Sequence, residues 1–108
     1  MAALLALVLA ASGLHGIVTR GPITPVCRVG KPCSEPAVGS VLVFSHNGMV
    51  AARVRTGTAG RYSVSLQPGF YAVRLSPPQH IGGLKPTQVR VRTGVSSRLD
   101  FAIDTGIR

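Results

Sequence analysis

Along most of this chain apolar and polar residues alternate with a period of two, the spacing of a strand with one face buried. The pattern is clearest over Met49 to Leu75, MVAARVRTGTAGRYSVSLQPGFYAVRL. Val50, Ala52 and Val54 alternate with Ala51, Arg53 and Arg55. Tyr62, Val64 and Leu66 follow a turn from Gly57 to Gly60, and Tyr71, Val73 and Leu75 follow Gln67-Pro68-Gly69. This predicts a three-strand meander. Gly supplies positive φ at the first corner, and Pro68-Gly69 reads as the centre of a type II turn.

The flanks carry the same signal. Leu14 to Arg20 (LHGIVTR) reads as a first strand in which Gly16 marks a bulge or an edge. Val38 to Ser45 (VGSVLVFS) reads as a strand buried on at least one face. Asn47-Gly48 then closes a hairpin, since both residues accept the positive φ of a type I′ turn. Downstream, Val89 and Val91 point inward with Arg90 and Arg92 outward. Leu99, Phe101 and Ile103 point inward with Arg98, Asp100 and Ala102 outward. Two Pro- and Gly-rich stretches, 21–36 and 76–86, read as loops, the second as the more mobile. About seven strands with no helix predict an all-β fold, a single antiparallel seven-strand Greek-key β-sandwich.

Composition narrows this picture. The 108 residues leave room for one domain, and without Trp its core is built mainly from Val, Leu and Ile. Twelve Lys+Arg against three Asp+Glu give +9, and the cations are mostly Arg, whose fork suits carboxylate or phosphate. An arginine-rich composition that merely keeps strand faces soluble is the plainer explanation of that charge. The start, MAALLALVLAASG, matches the apolar core and small-residue cleavage region of a secretory signal, although no Lys or Arg precedes it. The expected organisation is a signal over 1–13 and one domain over 14–108. The run is too brief for a transmembrane helix.

With export expected, Cys27 and Cys33 read as a disulfide closing a local loop. Two cysteines cannot hold structural zinc unaided, and C-x5-C is not a redox C-x-x-C. His15, His46 and His80 are scattered. No metal or other cofactor is expected.

At this point the residues resemble a known family, the carboxypeptidase regulatory-like domains, which are small transthyretin-like (prealbumin-like) β-sandwiches. The resemblance rests on Gly16-Ile17-Val18, on Pro36 to Val41 (PAVGSV), and on Thr56 to Tyr62 as T-x-x-x-G-R-Y. It rests further on Leu66 to Tyr71 as L-x-P-G-x-Y and on Val89-Arg90-Val91. It implies a seven-strand sandwich in a secreted or envelope-associated bacterial protein, an accessory module without catalysis of its own. Gly60, Tyr62, Pro68, Gly69 and Tyr71 would then be turn and core residues. Gly57 and Ala59 stand where the family commonly has Asp, which removes oxygen ligands that calcium would need. The C-terminal Asp104-Thr105-Gly106-Ile107-Arg108 lacks the Tyr-Arg-Gly-Ser of the related hydroxyisourate hydrolases.

The functional expectation is a non-catalytic, monomeric, secreted or cell-envelope module binding a protein or glycan through loops 27–33 and 76–86. The alternative is an anionic envelope polymer held by Arg53, Arg55, Arg90 and Arg92, with Arg61 and Arg74 as neighbours. Sequence-specific nucleic-acid readout is not expected, because no aromatic interleaves these basic positions. No catalytic residue is assigned: there is no G-x-S-x-G elbow or carboxylate pair, and only His80 with Ser76 or Asp100 could meet in space.

Overall fold

The computed structural model describes residues 12–79 and 81–107. Most of the expected signal, Met1 to Ala11, lies outside the described residues, as does His80. The described residues form ten strands: β1 (Gly13–Gly21), β2 (Glu35–Pro36), β3 (Val41–His46), β4 (Met49–Arg55) and β5 (Arg61–Ser65), then β6 (Gly69–Ser76), β7 (Gly83–Lys85), β8 (Gln88–Val91), β9 (Ser96–Arg98) and β10 (Phe101–Asp104). One 3-10 turn spans Thr58–Gly60.

The strands make two sheets over a shared core. One sheet is antiparallel, in the order β4-β3-β6-β8. The other is built around β1, whose first half pairs with β5 and β9 and whose second half pairs with β2 and β10; β7 extends it beyond β10. Here the structure corrects the purely antiparallel seven-strand expectation: β1 runs parallel to both β9 and β10, so the sheet is mixed. Parallel neighbours need a long crossover, which the whole intervening domain supplies. The added strands are brief, and β2 and β7 lie inside the Pro- and Gly-rich stretches, where no alternation can mark them. Leu84 of β7 is buried, so 76–86 is not a free loop.

β9 and β10 are one interrupted strand. Gly13 pairs with Ser96 and Gly21 with Asp104 in an unchanged register, while the ladder opens at Leu99-Asp100. The backbone groups there are still satisfied. Leu99 N–H donates to the His15 carbonyl at 2.8 Å, Ile17 N–H donates to Asp100 Oδ1 at 2.9 Å, and the Tyr62 hydroxyl donates to the Leu99 carbonyl. Gly16 makes the approach possible: a Cβ there would collide with the Leu99 carbonyl oxygen and stand 2.7 Å from Asp100 Oδ1. Gly16 therefore marks neither a bulge nor an edge but a close approach in mid-sheet.

This arrangement sets a pH dependence. The Ile17 N–H, with Arg98 beside it, lowers the Asp100 pKa below the ordinary carboxylate value. A depressed carboxyl contributes stability above its unfolded pKa and loses it as pH falls through the folded one. Asp100→Asn keeps an oxygen for Ile17 but cannot ionise. Melting temperature measured from neutral to acid pH is expected to fall less steeply in this variant than in the wild type. Equal slopes would show that the Asp100 charge is unlinked to folding.

Inward positions follow the alternation: Leu42 and Phe44 of β3, Tyr71, Val73 and Leu75 of β6, Val89 and Val91 of β8, and Phe101 and Ile103 of β10 all join the core. One position departs from it. In the β3–β4 ladder Ala52 faces Phe44 but Val50 faces Ser45, so Ala51 is an extra residue. This bulge turns Val50 outward, where it is exposed, against the inward position its spacing from Ala52 and Val54 predicts.

The corners explain the turn residues. Asn47 and Gly48 both take positive φ, as the hairpin requires. Gly69 has φ 148°, wider than the roughly 80° of a type II turn, so Pro68-Gly69 is a different corner. It is held by Tyr71, whose hydroxyl donates to the Gln67 carbonyl at 2.6 Å. Thr56 is buried and ties the end of β4 to the segment before β3: its hydroxyl donates to the Ala37 carbonyl and accepts from Ser40 N–H at 2.9 Å.

Candidate functional site

Residues directly opposite in an antiparallel ladder share a face, so the register fixes the outer surface of the β4-β3-β6-β8 sheet row by row. Arg55, Val41 and Ser76 form one row, and Arg53, Val43 and Arg74 the next. Val50, Ser45, Ala72 and Gln88 form the third, and Phe70 with Arg90 the fourth. Four arginines thus share one face, and all four are exposed. Val43 is fully buried although it belongs to this outer face. Its two cross-strand neighbours are Arg53 and Arg74.

The structure brings some of the sequence-expected arginines together and separates others. Arg53 and Arg55 sit on edge strand β4, while Arg90 sits on the opposite edge, β8. Three strand spacings part them, about 14 Å. Arg74 on β6 fills the gap, donating to the Ser45 hydroxyl at 3.3 Å. Arg92 lies just past β8. Arg61 belongs to the other sheet, opposite Ile17 of β1.

Among the described residues no carboxylate shares the cationic face. Glu35 is on β2, Asp104 is on β10 and Asp100 lies in the gap before β10, all within the β1 sheet. Asp100 is ion-paired with Arg98 at 3.4 Å. The four outer arginines thus keep their charge available to an external anion.

Phe70 is the residue that sequence reasoning missed. It is 69% exposed, and its ring carries the Arg90 guanidinium 5.6 Å from the ring centre. Its carbonyl accepts from His46 Nδ1 at 2.8 Å. The signal was present in the alternation: with Tyr71 inward, Phe70 must face out.

A second concave region lies where the sheets part. There Arg55, Arg61 and Arg98 surround a cavity of about 670 Å³ floored by Gly16, Ile17 and Tyr62. Nearby, His15 Nδ1 is 2.8 Å from the Ser96 hydroxyl. The adjacent Asp100 is engaged by Ile17 and Arg98, so it does not orient that histidine as an acid–base pair requires. Tyr62 is held protonated well into the alkaline range by burial and by the Asp100 charge. Among the described residues no three of His, Cys, Asp and Glu gather as metal ligands would.

The start of the first loop and the residues after Ser76 both meet the end of β10. Cys27 and Cys33 are disulfide-bonded, with Cα atoms 5.4 Å apart. Thr105, at the end of β10, donates from its N–H to Gly21 at 3.0 Å and from its hydroxyl to Pro22 at 2.6 Å, anchoring the start of the first loop. A cleft of about 430 Å³ opens beside it between Arg20, Ser40, Ser76, Pro77, Gln79 and Thr105. Val41 and Ser76 of the sheet's first outer row also line this cleft, and Arg74 lines a neighbouring one with Pro78, Gln79 and Lys85, so the 76–86 segment borders the arginine face.

No protein-family model matches this chain, and neither does any curated protein sequence. No helix among the described residues is long and apolar enough to cross a membrane.

Proposed function

We propose that this chain is a non-catalytic, extracytoplasmic β-sandwich module that binds an anionic cell-envelope polymer through the outer face of the β4-β3-β6-β8 sheet. The observation that carries the reading is the acid-free face itself, with Arg53, Arg55, Arg74 and Arg90 exposed and every carboxylate on the other sheet. The first two rows place charge about 7 Å apart along the strands, and Arg90 lies two rows, about 13 Å, beyond the second, which offers a chain molecule several contacts at once. The Cys27–Cys33 disulfide fits an oxidising compartment. The transthyretin-like, carboxypeptidase regulatory-like architecture belongs to the same proposal, supported by the two-layer all-β fold, by the positive φ of Gly60 and Gly69 and by Tyr62 and Tyr71 in the core.

The test compares two variants of equal charge. Arg53→Glu/Arg74→Glu is expected to weaken binding to inorganic polyphosphate or an acidic glycan on the order of 10- to 100-fold at low salt. Arg28→Glu/Lys31→Glu, in the disulfide loop, is expected to change it less than about threefold. Equal losses would show that net charge alone drives binding and that the sheet face has no special part.

A further inference from the structure

We propose that the outer face of the β4-β3-β6-β8 sheet contains a sugar-ring subsite, a trough between the Phe70–Arg90 pair and the Arg53–Arg74 pair, that selects an acidic polysaccharide. The inference rests on the reading above and adds the chemical class of the polymer. Between the two arginine rows lies a row of small and polar side chains, with Ser45 and Ala72 at its centre, Val50 on one side and Gln88 on the other. Phe70 and Arg74 are four residues apart on β6, about 13 Å along the strand. Arg74 reaches into the middle row to donate to the Ser45 hydroxyl at 3.3 Å, so the trough is the space over Ala72 and Gln88, beside Phe70 and Arg90.

Each wall has chemistry that suits a sugar ring. Phe70 is 69% exposed, with the Arg90 guanidinium 5.6 Å from its ring centre and its backbone carbonyl bonded to His46. An exposed aromatic ring offers an apolar face for the C–H face of a sugar to stack on. Gln88 supplies an amide partner for sugar hydroxyls, and the Ser45 hydroxyl, which accepts from Arg74, keeps its O–H to donate. Arg53 and Arg74 stand opposite, where a uronate carboxylate would meet their forks.

Charge and compartment exclude the competing occupants. A second copy would set one arginine face against another, which is repulsive at +9 per chain. Polyphosphate uses the arginines but has no use for the exposed ring. Single-stranded nucleic acid uses both, but it stacks successive bases, whereas Phe70 is the one aromatic in these four rows. The disulfide also places the protein away from intracellular nucleic acid.

The experiment measures affinities of the full chain for polygalacturonate, inorganic polyphosphate and oligo-dT. Wild type, Phe70→Ala and Phe70→Tyr are compared at one ionic strength. Phe70 is exposed, so neither substitution disturbs the core. The expected result is that Phe70→Ala loses about five- to tenfold in affinity for polygalacturonate and under twofold for polyphosphate, while Phe70→Tyr retains both. Equal loss for both polymers, or no loss for either, would overturn the sugar subsite and leave polymer binding standing. So would wild-type binding to polyphosphate without polygalacturonate, or tighter, Phe70-dependent binding to oligo-dT. Wild type binding none of the three would overturn both the subsite and the function proposed above.

Discussion

Gly60→Ala is expected to lower unfolding free energy by about 3–5 kcal/mol, a large share of the 5–15 typical of a domain. Two effects add at this position. Gly60 has φ 73°, a conformation that costs a residue with a Cβ about 1–2 kcal/mol. An added Cβ would also collide with the Val18 carbonyl oxygen and stand 3.2 Å from the Ala37 nitrogen. Those two groups are hydrogen-bonded to each other at 2.8 Å, so making room for the methyl breaks a backbone bond between β1 and the segment after β2. Gly48 supplies the control. Its φ is 78°, but a Cβ there meets nothing within 4 Å. Gly48→Ala should therefore cost only about 1–2 kcal/mol. Urea unfolding of both variants tests the difference; equal losses would remove the close approach from the account.

Phe101→Ala is the second large effect, about 3–5 kcal/mol. Phe101 is almost fully buried on β10 and makes two ring contacts, one across to the other sheet and one within its own. One is edge-on with Phe44 of β3, with ring centres 6.3 Å apart. The other is a tilted contact with Tyr62 of β5 at 5.5 Å. In a chain without Trp this trio supplies much of the large-volume packing. Truncation removes the central member and leaves a cavity that rigid strands on both sides cannot close. A loss under about 1.5 kcal/mol by denaturant unfolding would show that the core collapses around the gap and is less specifically packed than described.

The strands that alternate were legible because a half-buried strand writes its own pattern. β3, β4, β6, β8 and β10 all fall where Val, Leu, Phe and Tyr recur at every second position, and Asn47-Gly48 fixed the first hairpin. Three features were not legible, each for a local physical reason. The bulge at Ala51 reverses Val50 without any Gly or Pro to announce it. β7 is held by β10 and by burial of the single Leu84, too little to show against Gly83 and Pro86. The parallel pairing of β1 with β9 and β10 joins residues 83 positions apart, a separation no local pattern encodes.

The candidate face was half legible. Outward Arg53, Arg55, Arg90 and Arg92 followed from alternation. Their separation onto opposite sheet edges, and the place of Arg74 and Phe70 between them, follow only from strand order. The two loop segments meet at the end of β10 through Pro22 and Gln79, and they offer a protein partner a surface that borders the arginine face.

These surfaces can be told apart in one experiment. Amide and side-chain NMR shifts of the full chain, followed while polygalacturonate or polyphosphate is added, map the contact directly. The account predicts changes on β3, β4, β6 and β8, largest around Arg53, Arg74, Phe70 and Arg90, that fade as salt is raised. Changes confined to 22–34 and 76–79, or an unchanged spectrum at low salt with both polymers, would contradict it.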